Sequence, residues 1–309
     1  MASLGLLIIL IITFASPVSA HLSVSFYANT CPSVFNIVRS AMRAAIIREP
    51  GMGTSLLRLF YHDCFVNGCD GGILLEESTP ANQNSPRVFE VIEHIKSQVD
   101  RACGHGVVSC ADLFAIATRD SVTELGGPYY SVPLGRRDGR TPNLDVAHYN
   151  LPTPSENLDS IIAKFSRKGF SAREMVALSG AHTVGKSSCV HFRDRIYNES
   201  NIDAAFAAYR RATCPRATGT GDNNLAPLDP LSPYRFDNRY FRTLMNRRGL
   251  LHSDQVLFSG GSTDSIVTAY RNNPTTFSTD FANAMVKLGN LSPLTGSQGE
   301  IRTICGRVN

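Results

Sequence analysis

Residues 55–70 read SLLRLFYHDCFVNGCD, and this stretch constrains the fold and the chemistry of the chain more than any other. Residues 55–65 are mostly apolar, which predicts a helix that is buried on most of its sides. Arg58 and His62 interrupt the apolar run four residues apart, so they project from the same face of that helix. A guanidinium in such surroundings needs a partner anion or a polar cavity. The spacing leaves two interpretations open, a functional pair or two structurally satisfied side chains.

The end of the same stretch predicts a tight loop with two acids. Asp63 and Asp70 flank the sequence VNG, in which Gly68 permits a sharp turn. Carboxylate and carbonyl oxygens of such a loop are typical ligands of hard cations. A Cys64–Cys69 disulfide, the one pairing that spacing favours, would clamp the loop. The alternative is a solvated turn that carries two unrelated acids.

The amino-terminal segment has the pattern of an export signal. Residues 4–14 (LGLLIILIITF) are apolar, and the small residues Val18 and Ala20 predict cleavage after Ala20. The run is too short to span a bilayer, so we expect no membrane association after cleavage. Residues 21–309 are then predicted to form one domain with a sizeable core.

Charge and cysteine content narrow the class of protein further. The net charge of +4 is scattered, and no nucleic-acid motif is present, so nucleic-acid binding is not expected. All eight cysteines follow the signal segment, and an even count in an exported chain predicts disulfides. No CxxC pair supports a zinc site. Sequons at Asn198 and Asn290 predict glycosylation.

The remaining sequence predicts one helix after another. Apolar residues recur at helical spacing after Ser33, a candidate N-cap, and the pattern stops at Pro50-Gly51. Ser155 is expected to open a second helix that ends at Gly169.

The rest of the sequence predicts further helices and little strand structure. Ser171 and Glu174 predict a capping box ahead of another helix, and residues 277–289 repeat the helical pattern. The best strand signal is at 131–140, which predicts at most a short hairpin. The pattern as a whole therefore indicates an all-α fold.

Eight segments of the sequence, taken in order, resemble those of the secreted plant peroxidases, the class III haem peroxidases. LLRLFYHDCFVNGCDGGILL is similar to their distal-haem signature. The other segments that carry the resemblance are NQNSPRVFEVI (82–92), VSCADLFAIATRD (108–120), VPLGRRDGR (132–140), NLPTPSENL (150–158), MVALSGAHTVGKSSC (175–189), DPLSPYRFDNRYF (229–241) and GLLHSDQVLF (249–258). The resemblance implies a helical fold with haem b between distal and proximal lobes. It also implies reduction of hydrogen peroxide to water while small phenolic donors are oxidised.

The resemblance assigns a role to each principal catalytic group. His62 would be the distal acid/base, and Arg58 would stabilise the charge that develops as the O–O bond breaks. Asn82 would accept the other ring N–H of His62. His182 would be the axial haem-iron ligand, with Asp254 hydrogen-bonded to it.

The resemblance also implies two calcium ions. The ligands of the distal ion would be Asp63, Val66, Gly68 and Asp70. The ligands of the proximal ion would be Thr183, Asp229, Ser232 and Asp237. Gly72 stands where the family usually has a serine hydroxyl for the distal ion, so this site departs from the pattern.

Other implied features concern the donor, the disulfides and the destination. The Pro152 carbonyl would help to hold an aromatic donor, and Tyr61 stands where the family usually has Phe. The disulfides implied are Cys31–Cys103, Cys64–Cys69, Cys110–Cys305 and Cys189–Cys214. We expect a monomer that is secreted to the extracellular space or cell wall. The rival hypotheses are a haem-containing wall protein with little turnover and a disulfide-rich binding module without haem.

Overall fold

The computed structural model describes residues 21–75, 86–142 and 147–309, and over these ranges the chain is mostly helical, as predicted. The α-helices are α1 (Val34–Arg48), α2 (Gly51–Val66), α3 (Pro86–Cys103), α4 (Cys110–Glu124), α5 (Ala147–Asn150), α6 (Leu158–Arg167), α7 (Ala172–Ser179), α8 (Cys189–Asn198), α9 (Ala204–Arg211), α10 (Arg239–Met245), α11 (His252–Gln255), α12 (Asp264–Asn272) and α13 (Pro274–Gly289). Short 3₁₀ helices span Gly72–Leu75, Gly180–Thr183 and Val256–Phe258.

Strand structure is confined to a small antiparallel pair within the described ranges. β1 (Lys186–Ser188) pairs with β2 (Leu225–Pro227), with Ser187 opposite Ala226. At 131–140, where the sequence predicted at most a short hairpin, the chain forms isolated bridges and no hairpin. Leu134 bridges to Ser23 and Asp138 bridges to Glu300, because segments from the two ends of the chain supply the backbone partners of this stretch.

The main core forms around α4, which packs against both α1 and α2. Every residue of α4 from Cys110 to Val122 is buried. The prediction that the 55–65 helix is buried on most sides is confirmed, since α2 buries ten residues, among them Leu56, Leu59 and Phe65. α2 is therefore held firmly enough to position the polar side chains on its remaining face.

A smaller core holds the segment that follows α7. Cys189, Phe192 and Ile196 of α8 pack with Phe206 of α9 and with Leu251. The Cys189–Cys214 disulfide closes this cluster. These contacts and the disulfide hold the segment after α7 in a fixed position facing α2.

Helix ends agree with the sequence prediction in part. α1 stops before Pro50, but Ser33 makes no side-chain capping bond. Its hydroxyl lies 3.7 Å from Cys103 Sγ instead. The helix expected from Ser155 starts at Leu158, because the Pro154 carbonyl accepts a hydrogen bond from Ser253 N at 2.9 Å and holds the preceding chain in a turn.

The carboxyl-terminal half follows the prediction more closely. The capping box of Ser171 and Glu174 is present at the start of α7. The helix predicted at 277–289 begins earlier, at Pro274, because the Asn273 side chain accepts from Thr276 N and caps it there.

All four implied disulfides are present: Cys31–Cys103, Cys64–Cys69, Cys110–Cys305 and Cys189–Cys214. The proposed signal segment, residues 1–20, lies outside the described residues. Within the described ranges, no helix is both long and apolar enough to cross a bilayer.

Candidate active site

A cavity of about 420 Å³ lies between α2 and the chain that follows α7. Arg58 and His62 line it from α2, and His182 and Asp254 line it from the other side. Pro152 lies on its wall as well. The structure therefore brings together all the predicted catalytic residues except Asn82, which lies outside the described residues.

The α2 wall carries a base beside a fixed cation. Burial, and then the neighbouring Arg58 guanidinium, lower the pKa of His62 well below its usual value. Burial also lowers the pKa of Arg58, although an arginine stays charged at any ordinary pH. His62 is therefore a neutral imidazole that faces a permanent positive charge.

The opposite wall presents His182 in a defined orientation. α7 ends at Ser179, and the 3₁₀ turn Gly180–Thr183 carries the His182 ring to the cavity. A side chain at Gly180 would collide with the Phe277 ring, so the chain can approach this closely only with glycine. Asp254 Oδ1 lies 2.6 Å from His182 Nδ1 and leaves the other ring nitrogen free of that contact.

Asp254 is buried and engaged on both oxygens. The Tyr240 hydroxyl donates to Oδ1 at 2.9 Å, and Leu251 N donates to Oδ2 at 3.2 Å. Burial lowers the pKa of His182, but the charge and hydrogen bond of Asp254 outweigh burial and raise the pKa overall. The carboxylate thus makes the His182 imidazole electron-rich.

The two acids of the predicted distal cation loop lie together. Asp63 Oδ2 accepts from Gly71 N at 2.9 Å, and its Oδ1 accepts from Ile73 N at 3.1 Å. Burial and then the neighbouring Asp70 carboxylate raise the pKa of Asp63 to about 8. A buried carboxylate and a half-buried neighbour repel each other unless a cation or a proton separates them.

Two other features of this loop bear on cation binding. Gly72 N donates to Asp70 Oδ1 at 2.9 Å. The Val66 carbonyl accepts from Lys168 Nζ at 3.0 Å and from Asn150 Nδ2 at 3.2 Å. A cation at this loop would compete with the Lys168 ammonium for the Val66 oxygen.

The four predicted proximal ligands lie in one cluster. Thr183 Oγ1 donates to Asp237 Oδ1 at 3.3 Å, and Ser232 Oγ donates to Asp229 Oδ2 at 3.1 Å. Burial raises the pKa of Asp229, and the Asp237 carboxylate adds to this effect. The cluster adjoins His182 through Thr183.

Within the described ranges, no three His, Cys, Asp or Glu side chains form a group that could hold a metal ion. Each predicted calcium set therefore depends on hydroxyl or carbonyl oxygens beside two carboxylates. Such mixed oxygen sets are usual for calcium.

Sequence reasoning missed several residues of the site. Tyr240 lies inside the segment DPLSPYRFDNRYF, but its bond to Asp254 has no signal in the spacing. Lys186 and His191 line the cavity from β1 and α8. Lys186 lies inside the quoted segment MVALSGAHTVGKSSC, but no role was assigned to it, and His191 lies just beyond that segment.

A helical fold that places a histidine on each wall of a largely apolar cavity, one of them bonded to a buried carboxylate, is the arrangement expected of a haem enzyme. Comparison with known proteins identifies which kind. The family model described as Peroxidase matches residues 38–273. Peroxidase 4 of Vitis vinifera is 56% identical over 304 residues, covering 96% of this chain and 94% of that protein. Peroxidase P7 of Brassica rapa subsp. rapa is 57% identical over 297 residues, covering 94% of this chain and 100% of that protein.

The chain therefore belongs to the peroxidase family, among the class III plant enzymes. Membership makes it an oxidoreductase and implies haem, hydrogen peroxide and a donor substrate.

Proposed function

We propose that this peroxidase reduces hydrogen peroxide to water while it oxidises small phenolic donors, with His62 as acid/base and Arg58 as the stabiliser of developing charge. The observation that supports these roles is the placement of both side chains in one cavity that His182 lines from the other side. Desolvation keeps His62 neutral and therefore able to accept a proton at neutral pH.

The residues of the cavity fit haem b. His182 Nδ1 is committed to Asp254, so Nε2 would be the nitrogen that binds the iron. The macrocycle would contact apolar side chains of the cavity wall, which include Leu57, Phe165, Leu178, Val184, Leu251, Met285 and Leu288. When bound, the haem supplies the electrons that reduce the peroxide and recovers them from the donor.

The proton transfers would be carried out by the α2 wall. The neutral ring of His62 takes a proton from one peroxide oxygen and delivers it to the departing oxygen. Arg58, a fixed cation four residues earlier, offsets the negative charge on the departing oxygen. Asn82 would accept the other ring N–H of His62 and keep the reacting nitrogen unprotonated.

The remaining proposals concern metals, donor and destination. Asp63, Val66, Gly68 and Asp70 would hold a distal calcium, and Thr183, Asp229, Ser232 and Asp237 a proximal one. The Pro152 carbonyl would help to hold the donor. We infer that residues 1–20 are removed and that residues 21–309 act as one secreted, monomeric domain in the extracellular space or cell wall. Asn198 and Asn290 are both exposed, as glycan attachment requires.

Substitution of His62 by Ala tests the central proposal. Loss of a positioned base should slow the reaction of the holoenzyme with peroxide by about 10²–10⁴-fold. The haem absorbance should persist, because His182 remains. Stopped-flow spectroscopy at varied peroxide concentration measures the rate, and His94→Ala, a change at an exposed histidine of α3, is the control.

Two results would count against this assignment. An unchanged rate in His62→Ala would remove the role given to that residue. A wild-type holoenzyme that reacts with peroxide but turns over guaiacol only negligibly would favour the rival wall protein with little turnover.

A further inference from the structure

His191 lines the same cavity as His62, and none of the roles proposed above uses it. It is the third residue of α8, whose neighbouring Cys189 and Phe192 are buried in the smaller core. Their burial fixes the helix, while His191 itself stays exposed. The ring is therefore held at the cavity wall and remains accessible to a ligand.

Both ring nitrogens of His191 are available. No described residue makes a hydrogen bond to them, whereas His182 is bonded to Asp254 and His252 to Glu199. Partial desolvation at the cavity wall, and then the Arg58 guanidinium, lower the pKa of His191. The neutral ring offers one acceptor nitrogen and one N–H donor.

The charges around His191 determine what it can receive. The titratable groups on the described cavity wall are Arg58, Tyr61, His62, His182, Lys186 and Asp254. Asp254 is the one acid among them, and it is engaged by His182 and Tyr240. Apart from this engaged acid and Tyr61, the titratable side chains are cations and imidazoles, which favours a neutral or anionic ligand that donates a hydrogen bond.

We propose that His191 is a donor-binding residue whose imidazole accepts the hydrogen bond of the donor's phenolic hydroxyl. The proposal rests on the peroxidase function above, which supplies the oxidised enzyme. As the phenol gives one electron to that enzyme, its O–H bond breaks and the proton passes to the acceptor nitrogen of His191. A neutral phenoxyl radical leaves, and the ring returns the proton to water at the cavity mouth.

The consequence is a preference among donors. A phenol such as guaiacol has a hydroxyl proton to give, whereas the sulfonated dye ABTS has neither O–H nor N–H. His191 should therefore increase the efficiency of guaiacol oxidation and have no effect on that of ABTS.

The test uses the holoenzyme and two substitutions. His191→Phe removes the acceptor nitrogen and keeps a planar ring, and His191→Gln keeps an acceptor oxygen. In His191→Phe we expect the Kd of guaiacol on the resting enzyme, followed by absorbance titration, to rise about 3- to 10-fold. The kcat/KM for guaiacol should fall at least as far, that for ABTS should stay within about twofold, and His191→Gln should recover much of the loss.

Controls separate this proposal from the one on which it rests. The rate of the peroxide reaction should be the same in His191→Phe and the wild type, and His94→Phe on α3 should change neither donor. An unchanged guaiacol Kd, or an equal loss for both donors, would overturn the role of His191. Failure of the wild-type holoenzyme to react with peroxide would instead overturn the proposed function.

Discussion

Three histidines share one cavity, and their proton affinities differ because their neighbours differ. Burial lowers the pKa of His62 and partial desolvation lowers that of His191, and the Arg58 charge lowers both. Burial acts on His182 as well, but there the Asp254 carboxylate outweighs it and raises the pKa. The same residue type can therefore serve as a base, as a hydrogen-bond acceptor and as a metal ligand, according to whether a cation or an anion lies beside it.

The proposed calcium ligands can be tested by single substitutions at the acids. Asp70→Asn should remove the distal ion and Asp229→Asn the proximal ion, because each change takes one charge from a two-carboxylate set. Metal analysis should give two calcium ions per chain for the wild type and one for each variant, with exposed Asp194→Asn as the control.

The distal ion should be the first to leave when a chelator is added. Lys168 already donates to the Val66 carbonyl, so it competes for one distal ligand. If Asp70→Asn retained two ions, or if the proximal ion left first, the proposed ligand assignment would be wrong.

At the scale of elements, the capping box at the start of α7 helps to position His182, which lies in the turn after the end of this helix. Glu174 accepts from Ser171 N at 2.8 Å and from Lys287 Nζ of α13 at 2.8 Å. Desolvation raises the pKa of Glu174, but these bonds outweigh it and lower the pKa overall. α7 is thereby fixed at its start and delivers His182 at its end.

Substitution Glu174→Gln tests this link through its pH dependence. A carboxylate whose pKa is lower in the folded protein stabilises the fold above its unfolded pKa, and this stabilisation is lost as the pH falls through the folded value. The side chain is partly exposed, so we expect a loss of about 0.5–1 kcal/mol at pH 7 and a smaller loss near pH 3.

Thermal unfolding of Glu174→Gln, Lys287→Met and the double variant at both pH values measures the effect. The double variant should lose less stability at pH 7 than the sum of the single variants, because the two residues share one interaction. Additive losses, or a loss as large at pH 3 as at pH 7, would rule out the ion pair as the cause.

Sequence reasoning succeeded where the relevant residues are close in the chain. The capping box of Ser171 and Glu174 and the stop at Pro50 depend on neighbours within one turn. No hairpin forms at 131–140, because the partners of that stretch, among them Ser23 and Glu300, come from the two ends of the chain. Such partners cannot be read from local periodicity.

At the scale of the molecule, the candidate site also depends on residues that are distant in the chain, and local patterns do not predict their proximity. Arg58 and His62 share a helix face, so their proximity follows from spacing alone. Their position opposite His182 was implied by the resemblance, and the structure places all three on one cavity. His191 reaches the cavity only because the smaller core fixes α8, which no motif in the sequence predicts.

The carboxyl terminus is tied to the middle of the chain and to the distal loop. Cys305 is joined to Cys110 across 195 residues. The buried Arg302 guanidinium donates to the carbonyl of Cys305 at 2.6 Å and to that of Gly71 at 2.5 Å. The last residues therefore support the loop after α2, which carries Asp70 and whose Gly71 N donates to Asp63.

Chain entropy predicts that this long cross-link stabilises the protein most. Cys110–Cys305 closes 195 residues and Cys64–Cys69 closes 5, which corresponds to about 5 and about 2 kcal/mol in the loop-closure model. Replacing both cysteines of each pair by Ser should therefore lower the Tm of the holoenzyme more for the long pair than for the short one. A larger loss for the Cys64–Cys69 pair would mean that its main effect is to clamp Asp63 and Asp70 in the folded state, and adding calcium should then restore part of that loss.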